Sequence, residues 1–341
     1  MTLNPERSRH VSLVAVPDAV VSTLFGIYDA MNAFSRMGLS NGAPGEWSPF
    51  QIDIVGEAEG PVQSASGIPV TVQRSIETIG ESDIVIVPSV LLPPEGWTKG
   101  RYPELVNWLR AMYDRGAIIC SACSGIFLLG ETGLFDGKDA TVHFAYARAL
   151  GAAYPRIGIH PERPLVVSGS RDELVSSGAS TTWHDLVLYL IARHVGASAA
   201  QEVARVFALQ WHQHGLTPYM IFDGRTDHGD AEIQSAQEWV REHFSVANPV
   251  EEMIRRSSLA ERTFKRRFVN ATGLTPIAYV QRLRIEDAKR RLERTDASVD
   301  DISWRVGYED SAFFRRLFKR TTGIAPGAYR RSFRVPEFVR V

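Results

Sequence analysis

The sequence predicts an α/β domain with a mostly parallel sheet, followed by an all-α domain with two helix-turn-helix motifs. Three observations carry this reading. Apolar runs of strand length alternate with helical periodicities over residues 11–195. The last third of the chain repeats itself at a spacing of 49–50 residues. The charge is also divided: residues 247–341 hold 21 Lys and Arg against 12 Asp and Glu, a surplus of nine, leaving 17 against 27 in the 246 residues before them. The net charge of −1 therefore hides a basic tail on an acidic body, which suits a reader of double-stranded DNA whose other domain does not itself adhere to phosphate.

Length and composition set the outer bounds. A chain of 341 residues with 44% hydrophobic content is expected to fold as two domains with packed cores. Met1 to His10 is polar and no apolar run approaches 18 residues, so neither a signal peptide nor a membrane span is expected, and the location expected is cytoplasmic. Two cysteines imply no disulfide framework.

The elements follow in order. Val11–Val16 reads as a buried strand, 22–37 as a helix, Phe50–Val55 and Asp83–Pro88 as strands, 102–114 as a helix, and Ala117–Ser121 as a fourth strand. Strands near Leu165–Val167 and Glu173–Ser176 precede a helix over about 181–195, and Ala197–Trp211 reads as the helix that ends the domain. The fourth strand runs into Ser121-Ala-Cys-Ser-Gly125, with a helix following from Ile126. Small residues around a central Cys permit a sharp strand-to-helix turn, at which backbone N–H groups and the helix dipole favour a thiolate at Cys123. A ligand crevice is expected there, outside the carboxyl ends of the parallel strands. Its candidate residues are Asp18, Ser89, Val90, Cys123, Ser124, His143 and the turn Gly178, Ala179, Ser180. Such a site suits a small polar or anionic metabolite, although His143 is equally placed to be a core histidine.

Other signals carry less. Cys120 and Cys123 form a C-x-x-C, but Cys120 belongs to the strand. Gly133 to Lys138 is a residue short of a phosphate loop. His212-Gln-His214 and Asp227-His-Gly-Asp230 lack helical ligand spacing, so neither a metal nor a cofactor is expected. The expected division is a domain over 8–222, a polar linker over 223–230 and a second domain over 231–341.

The second domain opens on a helix over 231–244 with Ile233, Ala236 and Val240 inward. The repeat follows. Phe264, Phe268, Thr272, Gly273, Pro276 and Tyr279 correspond to Phe314, Phe318, Thr322, Gly323, Pro326 and Tyr329. Each copy reads as a short helix, a tight turn and a basic helix, the two motifs spanning about 250–273 and 299–323 and joined by a long helix over about 275–294. Gly307 suits its turn because it accepts positive φ. With Phe264 and Phe268 inward, Glu261, Arg262, Lys265 and Arg266 point outward; with Phe314 and Phe318 inward, Ser311, Ala312, Arg315 and Arg316 do so. These eight positions are the candidate DNA contacts.

Residues 232–341, and above all the run Val306-Gly-Tyr-Glu-Asp-Ser-Ala-Phe-Phe-Arg-Arg-Leu-Phe-Lys319, resemble the DNA-binding domain of AraC-family transcription regulators. The Cys123 elbow, Gly133 to Lys138 and His143 together resemble the class I glutamine amidotransferase-like (ThiJ/PfpI) fold over 8–205, of flavodoxin-like type. The combination implies a non-enzymatic sensor domain binding a small-molecule effector, a homodimer, and a transcription regulator that activates RNA polymerase. In related hydrolases and chaperones a His often follows the Cys, a Glu follows the first strand, and a Gly pair follows the strand that here ends at Pro88. Here the corresponding residues are Ser124, the carboxylate-free stretch Ala19–Thr23, and Ser89-Val90. Those departures stand against the alternative, a Cys123-dependent amidohydrolase or redox chaperone carrying a DNA-binding module.

Overall fold

Residues 8–39 and 48–336 are described by a computed structural model, and the chain divides into two units between Leu216 and Thr217. In the first unit β1 (Arg9–Val14), α1 (Val21–Met31), α2 (Ala33–Met37) and β2 (Phe50–Gly56) lead to a hairpin of β3 (Gly60–Gln63) and β4 (Pro69–Val72). Then come β5 (Arg74–Ser75), β6 (Ile84–Val87), α3 (Pro103–Asp114), β7 (Ile118–Ala122), α4 (Ile126–Glu131), β8 (Asp139–Ala140), α5 (Ala147–Ala153) and β9 (Gly158–Ile159). The unit closes with β10 (Leu165–Ser168), β11 (Leu174–Ser177), α6 (Trp183–His194) and α7 (Ala197–Val206).

Among the described residues a seven-stranded sheet runs in the order β10-β11-β7-β6-β1-β2-β5, parallel except where β10 meets β11. Val11 pairs with both Ile52 and Ile84, and Leu13 with Ile54 and Ile86, so β1 lies inside the sheet. Every residue of β6 and β7 is buried, Ser121 included, so neither strand has a solvent-facing side whose polar residues would alternate with the core. The two-residue strands β5, β8 and β9 escape the sequence reading because they are too short to show a period, and the hairpin and α5 escape it because they bury few side chains, none in β3 and only Leu150 in α5. The helix expected to reach Trp211 stops at Val206: Ala208 turns left-handed (φ 54°), and the His212 amide is bonded to Asp185.

The second unit holds α8 (Ala231–His243), α9 (Pro249–Arg256), α10 (Glu261–Thr272), α11 (Pro276–Arg294), α12 (Val299–Arg305), α13 (Ser311–Thr322) and α14 (Pro326–Phe333). It has two cores. One gathers Ile233, Val240, Met253, Phe264, Phe268 and Tyr279; the other gathers Ile285, Leu292, Ile302, Phe314, Phe318 and Tyr329. Helix α11 serves both, Tyr279 and Val280 in the first and Ile285, Ala288 and Leu292 in the second. Gly273 (φ 75°) and Gly323 (φ 83°) end α10 and α13 in the left-handed conformation, as the repeat requires.

The expected linker over 223–230 is not an unpacked connection. Phe222 lies edge-on to Tyr279 at 5.1 Å, the buried Gln237 donates to the Arg225 carbonyl at 2.7 Å, and Arg241 donates to the Asp223 carbonyl at 3.0 Å. Asp230 caps α8 through the Ile233 amide. Main-chain carbonyls make much of this attachment, and carbonyls leave no trace in a polar sequence.

Candidate DNA interface and cysteine elbow

The two basic helices are built alike. Phe264 and Phe268 on α10, and Phe314 and Phe318 on α13, are fully buried, turning the opposite faces outward. Glu261, Arg262, Lys265, Arg266, Ala312, Arg315 and Arg316 are exposed, and Ser311 is half-buried at the start of α13. The helices nevertheless present different charge. Glu261 neutralises Lys265 at 2.5 Å on α10, whereas Arg315 on α13 is held by Asp300 of α12 at 2.9 Å and by the Ser311 hydroxyl at 3.1 Å. Asp310 starts α13 by accepting from the Ala312 and Phe313 amides.

Besides α11 itself, one buried side chain links the two motifs. Arg284, buried on α11, donates to the Phe244 carbonyl at 2.7 Å, the Val246 carbonyl at 2.9 Å and the Gly307 carbonyl at 2.8 Å. Those carbonyls belong to the α8–α9 connection and to the turn between α12 and α13. Gly307 (φ 93°) admits no side chain there, since a Cβ would stand 2.9 Å from the guanidinium and 2.6 Å from the Ser245 carbonyl.

In the first unit the chain leaves β7 through Cys123 at φ 49°, a left-handed residue in a sharp strand-to-helix turn. Gly125 makes the turn possible: a Cβ there would fall 2.5 Å from the Pro88 carbonyl oxygen. Cys123 is only 2% exposed, and burial pushes its thiol pKa up, against hydrogen bonds to Ser124, the His143 backbone and Ser180. Burial thus opposes the thiolate that the turn's donors favour. The turn offers backbone donors, but it lies inside the protein, where charge is disfavoured.

Similarity to known proteins follows the same division. The DJ-1/PfpI family matches residues 29–193, and the helix-turn-helix domain family matches residues 253–332. The chain is 28% identical to the HTH-type transcriptional regulator CdhR of Pseudomonas aeruginosa over 78% of its length and 77% of that protein's. It is 25% identical to the HTH-type transcriptional regulator GlxA of Rhizobium meliloti, over 83% and 85% respectively. It is also 22% identical to the HTH-type transcriptional regulator GbdR of Pseudomonas aeruginosa, over 78% and 70%. The chain joins a DJ-1/PfpI domain to an AraC-type helix-turn-helix domain.

Within the DJ-1/PfpI domain the candidate crevice residues divide. Cys123, Ser124, the His143 backbone and Ser180 converge on the sulfur. Val90 donates its amide to Ser124 Oγ at 3.0 Å, and that hydroxyl donates to the Val90 carbonyl at 2.6 Å, tying the elbow to the loop after β6. Ser89 is buried, accepting from Thr23 at 3.1 Å. Asp18 is not a free acceptor for a ligand: Arg101 reaches it at 2.6 Å and the Tyr102 hydroxyl at 2.7 Å. The His143 ring accepts from the Ala145 amide at 3.2 Å and stacks on Phe144, and burial lowers its pKa. Gly178 has no room for a side chain between Leu216, the Arg163 carbonyl and Thr141, while the Ala179 carbonyl accepts from Thr182 at 2.8 Å.

Sequence reasoning missed the residues that position the AraC-type domain. Arg284 sits in a run of charges where nothing marks it as the buried one. Arg267, beside the outward Arg266, turns instead to Asp230 with two hydrogen bonds of 2.7 and 2.8 Å, which hold that carboxyl's pKa below its usual range. The capping box of Ser298 and Asp301 was visible as a spacing of Ser and Asp three apart.

Proposed function

We propose that this protein is a cytoplasmic, sequence-specific transcription activator that binds double-stranded DNA as a homodimer and responds to a small polar metabolite at the DJ-1/PfpI elbow. The observation that carries the reading is the pair of basic helices, each on its own core, with Arg284 fixing their relation. Helix α11 spans 19 residues, about 28 Å at 1.5 Å per residue, a length comparable to the roughly 34 Å between successive major grooves on one side of DNA. Outward Arg262, Arg266, Arg315 and Arg316 supply bidentate donors for guanine or phosphate. The buried thiol and the Val90 amide already bonded to Ser124 disfavour Cys123 as a nucleophile and that amide as an oxyanion donor, leaving the domain suited to binding rather than turnover. For the effector to regulate, it must bind the DNA-competent arrangement with a different affinity, and a few kcal/mol suffices.

The test is fluorescence anisotropy of the full chain on its own upstream intergenic DNA against a scrambled duplex, with and without a panel of amino acids, amines and amides, followed by transcription with purified RNA polymerase. A specific complex whose affinity shifts with one compound is expected. Arg316→Ala should cost about 1–3 kcal/mol on the specific site and far less on scrambled DNA if the residue reads a base. Equal loss on both would make it a phosphate contact.

A further inference from the structure

Away from the elbow, the first unit brings together a second set of reactive side chains. His184 and Asp185 lie in the first turn of α6, and His212 lies in the segment after α7. One donor atom from each falls within 4.8 Å of the others. Asp185 Oδ2 is 2.6 Å from His212 Nδ1 and 3.6 Å from His184 Nε2, while the Gln210 carbonyl stands 2.8 Å from that same Nε2. The imidazoles stack at 5.0 Å, and the three side chains are 12%, 4% and 13% exposed in the order 184, 185, 212. The second oxygen of Asp185 accepts from the His212 amide at 3.0 Å, which fixes the carboxylate independently of the rings.

We propose that His184, Asp185 and His212 form a binding site for a divalent cation of the zinc class, with the Gln210 carbonyl as an adjacent oxygen donor. Two imidazoles and a carboxylate are a nitrogen and oxygen set suited to zinc and its first-row neighbours. Ligands about 2.0–2.2 Å from a tetrahedral zinc lie roughly 3.3 Å from one another. The 3.6 Å separation already meets this, and the 2.6 Å separation is that of a shared proton. The cation therefore takes the place of the proton between Oδ2 and Nδ1, and each imidazole coordinates as the neutral tautomer that carries its proton on the other ring nitrogen, Nε2 of His212 and Nδ1 of His184, giving up the bond to Gln210. The spacing escaped the sequence reading because two ligands are neighbours and the third lies 27 residues on, brought back by the turn at Ala208. A bound cation would fasten the last segment of the first unit to the start of α6.

The experiment uses the full, untagged chain, stripped with a chelator and titrated with cobalt(II) and then zinc(II). One equivalent of cobalt with visible d–d absorption, displaced by one equivalent of zinc, is expected, together with a rise in Tm. His212→Asn and His184→Ala should each weaken binding by at least about 100-fold, since even groups that only support ligands cost 10–100-fold when lost. His214→Ala, at an exposed neighbour, should leave binding intact. Circular dichroism establishes that each variant is folded; if one is not, the other decides. Absence of saturable cobalt absorption, or affinity unchanged in the folded ligand variants, overturns the proposal.

Discussion

At Cys123 two influences oppose each other, backbone donors that favour a thiolate and burial that disfavours it, and burial prevails. Alkylation by iodoacetamide at pH 8, followed by mass spectrometry, should therefore run at least about tenfold slower than for a free cysteine, whose thiolate fraction at that pH is substantial. Cys120, fully buried in β7, should react more slowly still. His194 makes the opposite kind of prediction. Burial, assisted by Arg193 and Arg9, pushes its pKa down to about 4, and neither ring nitrogen has a hydrogen-bond partner among the described residues. The unfolded chain binds this proton below about pH 6.5 while the folded one does not until about pH 4, so stability is full above that window and falls as pH drops through it. The expected loss between pH 7 and pH 4 is at most about 3 kcal/mol, less what solvent screening removes, read from urea unfolding, and His194→Leu should flatten that part of the pH profile. Residue identity was legible where periodicity decided it, as at Phe264 and Phe318, and illegible where partners did, as at Asp18. No local pattern announces that a distant Arg101 and Tyr102 will close on a carboxylate.

At the scale of elements, the helices and strands long enough to show a period were readable within a few residues, from β1 through α13. The two-residue strands and the end of α7 were not, since pairing partners and a single left-handed residue set them. The long helix α11 was visible, yet its central function was hidden. Arg284 alone satisfies three main-chain carbonyls from two separate connections, so Arg284→Leu leaves all three without their donor. A loss of about 2–4 kcal/mol is expected by denaturant unfolding, with a larger proportional loss of affinity for a long operator than for a half-site, because the two basic helices lose their fixed relation.

For the whole molecule, the expected linker lay within a stretch that belongs structurally to the AraC-type unit. Lys289, buried on α11, donates to the Met220 carbonyl at 2.6 Å, and Tyr219 lies edge-on to Phe333 at 4.9 Å. A fragment beginning at residue 217 should fold cooperatively, whereas one beginning at 231 strips partners from Gln237, Tyr279 and Lys289 and should be less stable by several kcal/mol. Thermal unfolding of the two fragments measures the difference. No described helix is long and apolar enough to cross a membrane.

The unequal pair of basic helices has one more consequence. Because Glu261 faces outward on α10 while Asp300 and Ser311 brace Arg315 on α13, exchanging the helices would put the wrong chemistry over each half-site. On the proposed reading, in which both basic helices contact DNA, a single chain has a heading, as an arrow does, and an operator turned end for end is a different word to it.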